Sequence, residues 1–214
     1  MSVATHVVEW GEGKVTVRVR GDAGPVMLVA HGAGTNQDHP MMSMLAEGLA
    51  DGELRVVTFN YPYTEAGRKA PDRAPKLLAC HRGVAAWARS SLDDGLIFSG
   101  RSMGGRMSSM LAADGEPMRG LVLFAYPLHP AGRPDRLRVE HLDGIHVPML
   151  FVQGSRDRMA LPELFDEHIR GRANAEILDL EGVDHSWRAR GRSNEDIVAE
   201  VARYAARWVL ALGI

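Results

Sequence analysis

The sequence predicts an α/β fold: a mostly parallel central sheet of about eight strands with helices on both faces and no cap domain. Three observations carry this expectation. Apolar runs of strand length alternate with stretches of helical period along the 214 residues. Several runs are apolar throughout, as strands covered on both faces are. The segments holding Gly, Ser, Asp and His follow individual strands, at the carboxyl ends where such sheets bind ligands. No internal repeat, low-complexity tract or linker breaks the pattern, so residues 1–214 are expected to form one domain.

The elements follow in order. His6–Trp10 and Lys14–Arg20 flank Gly11-Glu12-Gly13, and the second run alternates apolar with polar residues. That is a hairpin at the edge of a sheet. Pro25–Ala30 is apolar throughout and reads as a central strand. His31-Gly32-Ala33-Gly34 comes directly after it, then Thr35 to Asp38 as turn and cap residues, then helical spacing from Met41 to Ala50. Leu54–Asn60 is the next strand, and Tyr61–Pro75, with its prolines and charges, reads as a long surface loop. A helix is expected from about Lys76 to Arg89, with Leu77, Leu78, His81, Val84 and Trp87 near one face.

Gly95–Ser99 is a short buried strand, and Met103, Met107, Met110 and Leu111 recur at helical spacing beyond it. Gly120–Ala125 is another strand. Tyr126–Val147 holds Pro127, Pro130, Pro134 and many charges, with one short helix at most. Met149–Gln153 is a strand, and Pro162–Gly171 a helix with proline in its first turn. Ala175–Leu180 is the last strand. Ser193-Asn194-Glu195-Asp196 resembles a capping box, opening a long helix with Ile197, Val201, Tyr204, Trp208 and Leu212 on one stripe.

Bulk properties exclude several classes. Hydrophobic residues make up 45% and charged residues 24%, the balance of a globular chain rather than a disordered one. A formal net charge of -2 gives no case for nucleic acid as a partner. The single cysteine, Cys80, allows no intramolecular disulfide and no Cys-based zinc site, and in a helix-like stretch it reads as a small buried apolar residue. The N-terminal residues lack a basic region followed by an apolar run, and no stretch reaches the ~20 apolar residues of a membrane helix. A cytoplasmic protein that does not engage the membrane is expected; the sequence leaves the oligomeric state open.

The stretch the rest serves is Gly100-Arg101-Ser102-Met103-Gly104-Gly105. A Gly-x-Ser-x-Gly sequence between strand and helix is a nucleophile elbow, a turn so sharp that only glycine fits beside the serine. The helix that follows aims its N-terminal amides at the site. The pattern alone is weak, since glycine and serine at ~7% each give roughly 0.1 chance matches in such a chain. Its partners make the case. A serine hydroxyl needs a base within hydrogen-bond reach, and that base needs a carboxylate to fix its tautomer. Ser102, Asp157 and His185 all follow strands, in the order Ser, acid, His. Asp184 adjoins His185, but neighbouring side chains diverge, so Asp157 is the expected acid and Asp184 a loop-bracing residue.

Four motifs together resemble a known family: Gly100–Arg106, Tyr126-Pro127-Leu128-His129-Pro130, Phe151–Asp157 and Asp184-His185-Ser186. Over essentially its whole length the chain resembles the α/β-hydrolases. The motifs are most similar to a small lidless group of bacterial predicted hydrolases that also holds a vertebrate testis-expressed protein and a chromatin acetyltransferase complex subunit. His31–Gly34 and Ser102–Gly105 further resemble loops of monoacylglycerol-lipase-like and dienelactone-hydrolase-like enzymes. The resemblance implies a serine hydrolase acting on a small acyl compound, without metal or cofactor. It implies an oxyanion hole from the backbone N–H groups of Met103 and, by match to the loop after the third strand, Ala33. His31 is expected to hydrogen-bond its own loop; it stands with Arg101 and Tyr126 as a candidate substrate contact.

Two further expectations concern substrate. Tyr126–Val147 is too short for a cap domain, so the site should be open, with Tyr126, His129 and part of Tyr61–Pro75 on its rim. Arg101, Arg106, Arg156 and Arg158 lie in or near the motifs, with Arg133 and Arg136 in the insert. They either bind an acidic substrate group or pair with the chain's own carboxylates; pairing is the expectation for Arg106 and Arg156. The alternative to an enzyme is an interaction module on the same fold, as the chromatin-complex subunit illustrates. An acyltransferase or haloperoxidase-like outcome from the same triad is a third possibility. A specific substrate cannot be read from the fold.

Overall fold

The computed structural model of the chain describes residues 2–93 and 95–213; Met1, at the head of the N-terminal stretch read above, lies outside them. The strands are β1 (Val3–Glu9), β2 (Lys14–Arg20), β3 (Val26–Ala30), β4 (Arg55–Phe59), β5 (Ile97–Arg101), β6 (Gly120–Phe124), β7 (Met149–Gly154) and β8 (Ala175–Leu180). They form one eight-stranded sheet in the order β1-β2-β4-β3-β5-β6-β7-β8. β1 and β2 form the expected antiparallel hairpin at the edge, β2 pairs antiparallel with β4, and the strands β3 to β8 are parallel to one another.

Strand period divides the core into two layers. On β3, Val26, Leu28 and Ala30 face one layer while Met27 and Val29 face the other. On β6, Leu121 and Leu123 face the first, and Val122 and Phe124 the second. This two-sided burial is why these strands read as continuous apolar runs. The first layer is covered by α3 (Ala74–Ser91) and α4 (Met103–Ala113). The second is covered by α1 (Pro40–Asp51) and α6 (Asn194–Ala211).

Three local expectations change. Helix α1 is capped by His39, whose Nδ1 accepts from the Met41 N–H at 3.3 Å, not by Thr35 to Asp38. Those residues hold the preceding turn instead: Thr35 Oγ1 donates to the Gly32 carbonyl at 2.9 Å and Asn36 Oδ1 accepts from the Asp38 N–H at 3.0 Å. Tyr61–Pro75 is not all surface loop. It opens with α2 (Pro62–Glu65), and the Tyr61 and Tyr63 side chains are fully buried. The helix at Pro162 is α5 (Pro162–Phe165), which widens into a π turn over Asp166–Arg170 before Gly171.

The stripe on α6 is also rotated from its expected place. Ile197 and Val201 are buried, but Tyr204 and Trp208 are only half-buried, and Ala202, Ala205 and Ala206 lie under them against the core. The reason is α1, which approaches with Gly48 and Gly52. A Cβ on Gly48 would lie 2.8 Å from the Ala202 Cβ, and one on Gly52 2.5 Å from the Ala206 Cβ. Small residues on both helices permit this spacing. The insert Tyr126–Val147 forms no lid. Leu128, Val139, Leu142 and Ile145 are buried in the first layer, around a short 3₁₀ turn at Glu140–Gly144.

Candidate active site

The site is built at the carboxyl end of β5. Ser102 follows β5 immediately and takes φ 50°, ψ −112°, a strained conformation for a residue with a side chain. The Ser102 N–H donates to the Phe124 carbonyl at 2.9 Å, and the Ser102 carbonyl accepts from the Arg106 N–H at 3.0 Å, starting α4. The turn brings backbone against backbone. A Cβ on Gly100 would lie 2.4 Å from the Gly104 carbonyl carbon, and one on Gly104 2.3 Å from the Ala30 carbonyl oxygen. Sterics thus demand both glycines of Gly-x-Ser-x-Gly.

The loops after β7 and β8 bring the other two groups to the serine. His185 Nε2 is 3.0 Å from Ser102 Oγ, and His185 Nδ1 is 2.7 Å from Asp157 Oδ2. These bonds are met together when Nδ1 carries the proton and Nε2 accepts from the serine hydroxyl. Asp157 is 1% exposed, yet its carboxylate is fully engaged. Gln153 Nε2 donates to Oδ2 at 2.7 Å and the Met159 N–H to Oδ1 at 2.8 Å. Asp184 does not reach the histidine. Its Oδ1 accepts the N–H groups of Ser186 and Arg188, at 2.8 Å and 2.9 Å, and so ties the turn that carries His185.

The loop after β3 is fixed by a buried histidine. His31 is fully buried; its Nδ1 donates to the Gly32 carbonyl at 2.9 Å and its Nε2 accepts from the Tyr61 N–H at 3.1 Å. Both bonds require the neutral ring, and burial pushes its pKa down to about 4. The Gly32 carbonyl also accepts from Thr35 Oγ1. In a trans peptide the C=O and the following N–H point in opposite directions. Pinning the Gly32 oxygen therefore aims the Ala33 N–H the other way. The Met103 N–H sits at the open first turn of α4, where no intrahelical acceptor exists.

Three candidate substrate contacts belong elsewhere. His31 is a loop brace without solvent access. Tyr126 is fully buried, its hydroxyl donating to the Arg138 carbonyl at 3.0 Å, and burial raises it to about 12. Arg101 donates to the backbone carbonyl of His185 and lies 5.9 Å over the Trp187 ring, so it anchors the histidine's loop. The expected rim is corrected at Tyr126 and His129, which are buried; within Tyr61–Pro75, Tyr61 and Tyr63 are buried, while Gly67, Arg68 and Lys69 are exposed beside the Gly34 turn. Cys80 is buried in α3, where burial holds its thiol well above the usual range. Arg133 pairs with Asp135 at 3.1 Å, but among the described residues Arg106 and Arg156 are in no ion pair, against the expectation for both.

Sequence reasoning passed over Gln153, Tyr61 and Trp187. Gln153 lies inside Phe151–Asp157, and a polar residue ending an otherwise apolar strand is the available signal. Tyr61 was hidden by its prolines. Trp187, buried at φ 58° against Phe124, shows nothing in sequence that separates it from a surface loop residue.

A mostly parallel sheet with a serine elbow after β5, facing a buried carboxylate on the loop after β7 and a histidine on the loop after β8, defines an alpha/beta hydrolase. The alpha/beta hydrolase domain family matches residues 23–210, and the chain belongs to that family. Solved structures share the fold. XC6422 from Xanthomonas campestris, an a/b serine hydrolase without lid, is 21% identical with TM-score 0.75, over 97% of this chain and 95% of that one. Dienelactone hydrolase from Anabaena variabilis is 18% identical with TM-score 0.76, over 98% and 97%. Est1E from Butyrivibrio proteoclasticus is 14% identical with TM-score 0.76, over 97% and 99%. No helix among the described residues is long and apolar enough to cross a membrane.

Proposed function

We propose that this chain is a serine hydrolase that cleaves a small carboxylic ester or related acyl compound through an acyl-enzyme on Ser102. The observation that carries the reading is the continuous chain of hydrogen bonds from Ser102 Oγ through His185 to Asp157. Ser102 attacks the carbonyl as His185 Nε2 takes its proton. Imidazolium charge develops beside the Asp157 carboxylate, which holds the Nδ1 proton and stabilises that charge. The N–H groups of Met103 and Ala33 receive the oxyanion. His185 then protonates the departing alkoxide, and the same ring activates the water that releases the acid. The reading uses no metal or cofactor. It treats residues 1–214 as one catalytic domain and places the chain in the small lidless group named above. Support from neighbours is general: among proteins of the same fold are a lidless serine hydrolase and a dienelactone hydrolase.

A fluorophosphonate probe tests the reading. It should label the native protein at Ser102, and Ser102→Ala should abolish both labelling and hydrolysis of short acyl esters. An unlabelled, folded native protein would leave the interaction-module alternative in its place.

A further inference from the structure

A charged cleft adjoins the site at His185, and the triad does not use its charge. A cleft of about 420 Å³ is lined by His185 and Asp184 together with Arg156, Arg158, Arg188 and Arg190. The arginines come from two different loops, the first pair after β7 and the second after β8. Asp157 is buried between Arg156 and Arg158, both of which are exposed. Elsewhere some exposed arginines hold carboxylates, as Arg68 holds Asp72, Arg82 holds Asp114 and Arg170 holds Asp179, while among the described residues Arg73, Arg119, Arg136, Arg203 and Arg207 stand apart on the surface. What sets the cleft apart is that four guanidinium groups gather in one concavity. In the cleft none of the four is in an ion pair among the described residues. The one carboxylate there, Asp184, has Oδ1 turned onto backbone N–H groups. Four guanidinium groups thus face one carboxylate in a chain whose net charge is -2. A concave patch of opposite sign to the whole molecule concentrates anions at its mouth.

The cleft's position decides which half of a substrate meets it. His185 must protonate the leaving oxygen, so the alcohol half of an ester departs past the imidazole. His185 is itself a wall of the cleft. We propose that the cleft is a binding site for a carboxylate on the alcohol half of the substrate, gripped by Arg156, Arg158, Arg188 and Arg190. The inference rests on the hydrolase reading and narrows it to esters whose alcohol bears an acid group. The guanidinium fork matches a carboxylate bidentately, which orients the substrate as well as attracting it.

The test compares 4-acetoxybenzoate with 4-acetoxybenzamide, which carry the same acetyl group on phenols that differ in charge. Each kcat/KM is divided by the rate with hydroxide, and the carboxylate-to-amide ratio is the readout. The native chain should favour the carboxylate. The ratio should fall roughly tenfold in Arg156→Gln/Arg158→Gln and in Arg188→Gln/Arg190→Gln, chiefly through KM, and should fall with added salt in the native chain. Fluorophosphonate labelling of Ser102 is measured alongside. Labelling with no carboxylate preference, or with a ratio unmoved in whichever double variants fold and by salt, overturns this inference and leaves the hydrolase standing. Absence of labelling in the native chain overturns both.

Discussion

At the scale of single residues, Asp157 shows how tightly the candidate site is specified. Its two oxygens accept three donors, from His185, Gln153 and the Met159 backbone. Asn at this position would turn an NH₂ group against one of them. Asp157→Asn is therefore expected to lower kcat on the order of 10⁴-fold, by analogy with serine proteases, and to cost about 1–3 kcal/mol of stability. Ester kinetics and chemical denaturation on the same sample check both. That Ser102, His185 and Asp157 meet was legible because the proposed chemistry restricts such a trio to a few residue types in a set chain order. The side chains that hold them were less so. Arg101 and His31 sit in the right motifs, but sequence does not say whether a guanidinium or imidazole faces substrate or its own backbone. Burial decides that, and burial is a tertiary property.

At the scale of elements, the reading of α6 shows where periodicity stops informing. The large residues Tyr204 and Trp208 marked an apolar stripe, yet α1 meets the alanines beside it. Hydrophobic period locates a face to within a residue or so; the partner helix chooses its centre. Gly48 and Gly52 are the matching half of that contact, and their meaning is visible only when both helices are in place. Gly52→Ala should destabilise the fold by about 1–3 kcal/mol through overpacking, because its new Cβ meets the Ala206 Cβ, fixed to backbone. Adding Ala206→Gly should restore most of the loss. Equal melting temperatures for native and Gly52→Ala proteins would count against the close helix approach.

At the scale of the whole molecule, the hairpin edge of the sheet and the helices on both its faces were readable, since alternating strands and helices admit few arrangements. The buried histidines were not expected to matter globally, but they should. Burial pushes His31 down to about 4 and His81 to about 3, below the 6.5 of a free ring. As pH falls below 6.5 the unfolded chain takes up these protons first. Stability should thus be full above about pH 6.5 and decline as pH drops toward the folded values. The melting temperature is expected to fall on the order of 10 °C between pH 7 and pH 4, and less in His81→Phe, which removes one titrating ring. Identical pH slopes for the two proteins would show that His81 is not held neutral.

The elbow has a cost that reaches beyond its own turn. Ser102 at φ 50° occupies a conformation that glycine adopts freely and serine resists. Ser102→Gly should therefore be inert and yet more stable than the native chain, by about 1 kcal/mol. If Ser102 is the nucleophile proposed above, selection for thermal endurance alone would drift toward that inert variant, and durability and turnover would pull in opposite directions at residue 102.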